Sequence, residues 1–88
     1  MTDVIAVLVT FPSPDKAAEV GRLLVDEKIA ACANIIPGIR SIYRWQDKVC
    51  DEPEVLMVLK TRRELFEVLK ARVRAGHPYE CPEVLQLA

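Results

Sequence analysis

The apolar positions divide the chain into alternating strand-like and helix-like stretches. Residues 4–10, VIAVLVT, are almost continuously apolar and rich in β-branched side chains. That pattern predicts a strand buried on both faces. FPSPD breaks it: Ser13 can cap a helix, Pro14 suits the first helical position, and Asp15 faces the positive end of the dipole. Ala17, Val20, Leu23, Leu24 and Ala30 then form an apolar stripe, predicting a helix to about Lys28. ACANIIPGIRSIYRW reads as a long strand with a bulge or bend at Pro37-Gly38. Beyond the bend, Ile39, Ser41, Tyr43 and Trp45 share one face, and Arg40, Ile42 and Arg44 the other.

Gln46-Asp47-Lys48 supplies a hairpin turn, and VCDEPEVLMVLKT is the returning strand. Thr61 and Glu64 have the spacing of a capping box, followed by the stripe Leu65, Phe66, Leu69 and Val73. Gly76 is expected in the left-handed cap position, with Pro78 preventing continuation. PEVLQLA begins a last strand. The order β-α-β-β-α-β is the ferredoxin-like arrangement, an α+β fold with two helices on one face of a four-stranded antiparallel sheet. The other face then carries apolar and aromatic side chains with no cover from the same chain, as an interface would.

Composition narrows the function classes. The chain has 88 residues, 51% hydrophobic and 28% charged, which predicts one globular domain over residues 1–88. Net charge is −1, and no block of like charge stands out, which argues against nucleic acid or a membrane surface as partner. The run from Val4 to Phe11 is too short to span a bilayer and lacks the flanks of a signal peptide. Three cysteines, with no C-x-x-C pair, suit reduced thiols in a cytoplasm.

The only histidine, His77, lies in GHPYECPEVL, with Cys81 four residues on. Imidazole and thiolate are good ligands for copper and zinc, so His77, Cys81 and Cys32 are metal candidates. Their spacing matches no zinc signature, and the two cysteines also read as small buried hydrophobes. Cys50 sits beside Asp51 and Glu52, which disfavour a thiolate. Tyr43, Trp45 and Tyr79 carry enough apolar area for an interface. Arg40, Arg44, Lys60, Arg62 and Arg63 with Asn34 raise the alternative of an anion-binding enzyme, a small acylphosphatase-like hydrolase, although these side chains also read as solvated strand and helix faces. No Gly-rich phosphate cradle precedes the first helix, and Ser13 has no His-Asp partner set, so no catalytic residue is assigned.

Cys32, Asn34, Ile35, Pro37, Ser41, Tyr43 and Trp45, then Lys60-Thr61, then His77, Pro78, Tyr79, Pro82 and Glu83 closely resemble the pattern of the CutA divalent-cation-tolerance proteins. The resemblance covers almost the whole chain in order. It implies a ferredoxin-like protomer in a homotrimer similar to the PII signalling proteins. It further implies a role in tolerance of copper and other divalent metals, no enzymatic activity, and no obligatory cofactor. In some members the histidine of the H-P-Y motif and a cysteine late in the first strand are proposed copper(II) ligands. Only His77 carries over, since Thr10 stands near the end of the first strand without a cysteine. Gly76 replaces a second histidine found in some members, Asp47 replaces a common turn glycine, and members usually continue past the final strand. The PII likeness also implies an alternative role, sensing a small metabolite in clefts between subunits.

Overall fold

The first strand, β1 (Val4–Phe11), alternates strictly: Ile5, Val7, Val9 and Phe11 are buried, while Ala6, Leu8 and Thr10 are half-buried. It is therefore buried on one face and not on both, because only one side of the sheet is covered. A computed structural model describes residues 3–78 and 84–87. Its elements run β1, α1 (Pro14–Asp26), β2 (Cys32–Trp45), β3 (Lys48–Arg62), α2 (Phe66–Gly76) and β4 (Val84–Leu87), with a single 3₁₀ turn, Arg63–Leu65, before α2. The strand order is β2-β3-β1-β4, with neighbouring strands antiparallel. This is the ferredoxin-like α+β topology expected from the sequence.

Helix α1 begins as expected. The Ser13 hydroxyl accepts from the Lys16 N–H at 3.2 Å, and Pro14 holds the first turn. The helix ends at Asp26, two residues earlier than the stripe suggested, because Lys28 turns into the left-handed region at φ 62°. Ala17, Val20, Gly21 and Leu24 are buried, but Leu23 is 38% exposed, at the margin of the stripe. Gly21 lets the helix approach the sheet: a Cβ there would lie 3.0 Å from both Ala33 Cβ and Met57 Sδ. From α2, Leu69 and Val73 join β1, β3 and α1 in one hydrophobic cluster. Full burial of each aliphatic side chain in it contributes about 1.5–3 kcal/mol.

The capping box before α2 does not form. Thr61 and Arg62 are still strand residues, and the helix starts without a side-chain cap. The buried Thr61 hydroxyl instead donates to the Ile29 carbonyl at 2.6 Å. Gly76 also differs from expectation. It is the last helical residue and not a left-handed cap; only Gly38, among the described glycines, has positive φ. A Cβ on Gly76 would meet Val20 Cγ2 at 3.4 Å, so its use is close helix packing.

The Pro37-Gly38 irregularity is confirmed, since the β2–β3 register shifts between Ile36 and Ile39, with Gly38 at φ 79°. Beyond it β2 and β3 continue as a two-stranded arm, from Ile39↔Glu54 to Trp45↔Lys48. Strand β1 stops at Phe11↔Val55, so no third strand accompanies the arm. Pro12 on one side and Pro53 on the other have no N–H to extend that ladder. Gln46 (φ 49°) and Asp47 (φ 64°) close the arm as a two-residue turn with both residues left-handed.

Candidate functional site

Residues on directly opposed strand positions share a face, so the register sorts every candidate. On the face beneath the helices lie Val9 with Met57, and Phe11 with Val55. On the open face, Ala6, Lys60 and Cys32 form one row, and Leu8, Val58 and Asn34 the next. Leu85 and Leu87 extend these rows at the β4 edge, both about half exposed, and Ile36 ends a third row beside Leu56.

His77 belongs to the helix-covered side. Its ring stacks on Phe11, with centroids 4.3 Å apart and planes 22° from parallel. Its Nε2 lies 2.7 Å from the Thr10 carbonyl oxygen. A carbonyl only accepts, so Nε2 carries the proton and donates. The residue is 9% exposed. Burial lowers its pKa below the ordinary histidine value; the Thr10 bond and the Glu54 charge oppose this, and Lys16 adds to it. The ring is therefore packed, and its Nε2 is committed to the backbone. Glu54, whose charge acts on His77, is itself buried at 9%.

Cys32 is half-buried and not core, with its thiol 3.7 Å from Asn34 Oδ1. It lies level with Ala6, four residues from Thr10, or about 13 Å along the strand. It is also on the face opposite His77, so the two are not brought together within one chain. No cluster of three or more His, Cys, Asp or Glu ligands occurs among the described residues. Among the described residues, His77 and Cys32 therefore share no metal site within one protomer. Cys81 and Tyr79 lie outside the described residues.

The arm holds the remaining candidates. Tyr43 and Trp45 are 40% and 56% exposed, and on the opposite face Ile42 and Val49 are 67% and 65% exposed. Polar groups brace it: Arg40 donates twice to the Asp51 carboxylate, at 2.7 and 2.6 Å. That guanidinium holds the Asp51 carboxyl below its usual range. The Tyr43 hydroxyl donates to Glu52 at 3.1 Å, and desolvation together with that carboxylate pushes the phenol up to about 12. Asn34 and Arg44 are ten positions apart on one strand, roughly 30 Å. They cannot grip one phosphoryl group within a protomer.

The fold and these positions define a ferredoxin-like α+β protomer with a projecting hairpin and one uncovered sheet face. A profile described as CutA1 divalent ion tolerance protein matches residues 5–88, and the chain belongs to that family. It is 48% identical over 81 residues to the divalent-cation tolerance protein CutA of Thermus thermophilus, covering 92% of this chain and 79% of that one. It is 45% identical over 83 residues to the chloroplastic protein CutA of Arabidopsis thaliana, covering 94% of this chain and 46% of that protein. This chain thus spans about half the length of the plant relative. A solved structure of the Thermus thermophilus divalent cation tolerance protein superposes with a TM-score of 0.94 at 46% identity, covering 97% of this chain and 82% of that one.

Proposed function

We propose that the chain acts as a non-enzymatic homotrimer in cellular tolerance of divalent cations, copper(II) in particular, in the cytoplasm. One observation carries the assembly. A two-stranded arm with apolar side chains exposed on both faces projects beyond the sheet, beside an open face bearing Ile36, Leu85 and Leu87. A two-stranded ribbon is marginally stable alone, and exposed apolar patches of this kind are interface surface. The non-enzymatic reading is supported by the separation of Asn34 from Arg44 and by the commitment of Arg40 to Asp51.

With a single imidazole whose Nε2 already donates to Thr10, copper(II) binds weakly, with a dissociation constant on the order of micromolar or weaker. Light scattering coupled to size exclusion tests the assembly, with three chain masses expected and a monomer mass overturning it. Calorimetric copper titration above the histidine pKa tests the metal reading. His77→Gln should abolish the heat; equal affinity in both proteins would remove His77 from copper binding.

A further inference from the structure

The irregularity at Pro37-Gly38 decides which side of the arm continues which side of the sheet. Between Ile36↔Leu56 and Ile39↔Glu54, β2 advances three residues while β3 advances two. The extra residue reverses the parity of β2 against the sheet. Before it, Cys32, Asn34 and Ile36 lie on the open face; after it, Tyr43 and Trp45 continue that face. Ile42 and Val49, diagonal neighbours across the ribbon, therefore continue the face that carries Val55 and Met57 into the core. The helices cover that face only as far as Phe11. Strand β1 ends there, α1 starts at Pro14, and His77, just past α2, stacks on the Phe11 ring. Ile42 and Val49, 67% and 65% exposed, are thus positions on the core side, beyond the end of the helix layer.

The same side of the arm is close to electrically neutral. It holds Arg40, Ile42 and Arg44 on β2 and Val49, Asp51 and Pro53 on β3. Arg40 and Asp51 cancel through two hydrogen bonds, which leaves Arg44 as the net charge of that side. Such a surface has no strong field with which to select a highly charged partner, and it suits a protein of net charge −1 such as the chain itself. A closed ring of three gives every protomer two neighbours, met through two different patches. In such a ring, a two-stranded ribbon that projects past its own sheet and is apolar on both sides has a neighbour available for each side.

We propose that the arm is held between two further copies of the chain. One meets the Tyr43/Trp45 side together with the open sheet face, and the other covers Ile42 and Val49. This rests on the trimeric assembly proposed above. The test is photo-crosslinking of the purified protein, with p-benzoylphenylalanine replacing Ile42, Trp45 or both. Each labelled chain is co-folded with a large excess of wild type, so that an assembly carries one labelled chain at most. A single label at either position should join two chains, and the double label should join three. A double label that joins only two chains would put both sides of the arm on one neighbour and overturn the proposal. So would failure of the label replacing Ile42 to join a second chain in assemblies of three-chain mass, since that side would then be free or taken by a different partner. A single-chain mass for wild type would instead sink the assembly reading, and the inference with it. Ile42→Thr combined with Val49→Thr gives a second measurement without a bulky probe, because threonine keeps the strand preference and removes the apolar contact. The dissociation concentration should rise about tenfold or more with circular dichroism unchanged, and an unchanged concentration would overturn the proposal.

Discussion

The His77 ring stacks on Phe11 and its Nε2 donates to the Thr10 carbonyl, partners more than sixty residues away in sequence. Its environment makes stability pH-dependent in a fixed direction. The folded pKa lies below the unfolded value, so the unfolded chain takes up the proton more readily. The stabilisation is complete above the unfolded pKa of about 6.5 and is lost as pH falls from there through the folded pKa. Glu54 softens the loss and Lys16 sharpens it. Thermal midpoints should fall between neutral and mildly acidic pH in wild type, and less in His77→Gln; parallel curves would refute the assignment. The arm's turn gives a second residue-level test. Left-handed Gln46 and Asp47 each cost about 1–2 kcal/mol, whereas glycine gives back only about 0.5–1 kcal/mol in unfolded-chain entropy. Asp47→Gly should therefore raise the melting midpoint, and an unchanged or lower one would contradict the turn geometry.

At the scale of elements, apolar periodicity placed all four strands and both helices, because each buries one stripe against the same cluster. What it missed were competitions for the same groups. Thr61 has capping-box spacing, but its hydroxyl gains more from a buried bond to Ile29 than from an exposed helix end. Gly76 looked like a chain terminator and serves instead as a close contact for Val20. Gly21 shows which effect wins between propensity and packing. Gly21→Ala gains about 1 kcal/mol of helix propensity. The added methyl, however, would stand 3.0 Å from Ala33 Cβ, on the backbone of β2, and from Met57 Sδ. Met57 can swing aside, but Ala33 moves only with its strand, and overpacking of this kind costs typically 1–3 kcal/mol. The variant should be less stable in chemical denaturation by about 1 kcal/mol; a gain would show that α1 shifts freely over the sheet.

At the scale of the whole molecule, the helices cover one sheet face and leave apolar rows and the arm to solvent in the isolated chain. The sequence foretold the uncovered face from topology and the Tyr43/Trp45 pair from period two. It did not foretell that the arm projects past β1 with Ile42 and Val49 exposed on its other side. That depends on where β1 ends, at Phe11 before Pro12. The arm is braced within itself by Arg40 with Asp51 and Tyr43 with Glu52, so it presents a preformed surface. Trp45, about half exposed at the tip, can bury roughly 100 Å² more in an assembly, about 2.5 kcal/mol of transfer free energy. An aromatic side chain of this kind, at the centre of a water-excluding contact, is a typical hot spot. Because Trp45 makes no contact with the core cluster, Trp45→Ala should leave the protomer's circular dichroism unchanged. It should shift the dissociation midpoint on dilution to higher protein concentration, by about one to two orders of magnitude. Unchanged mass and an unchanged dilution profile would take the arm out of the interface.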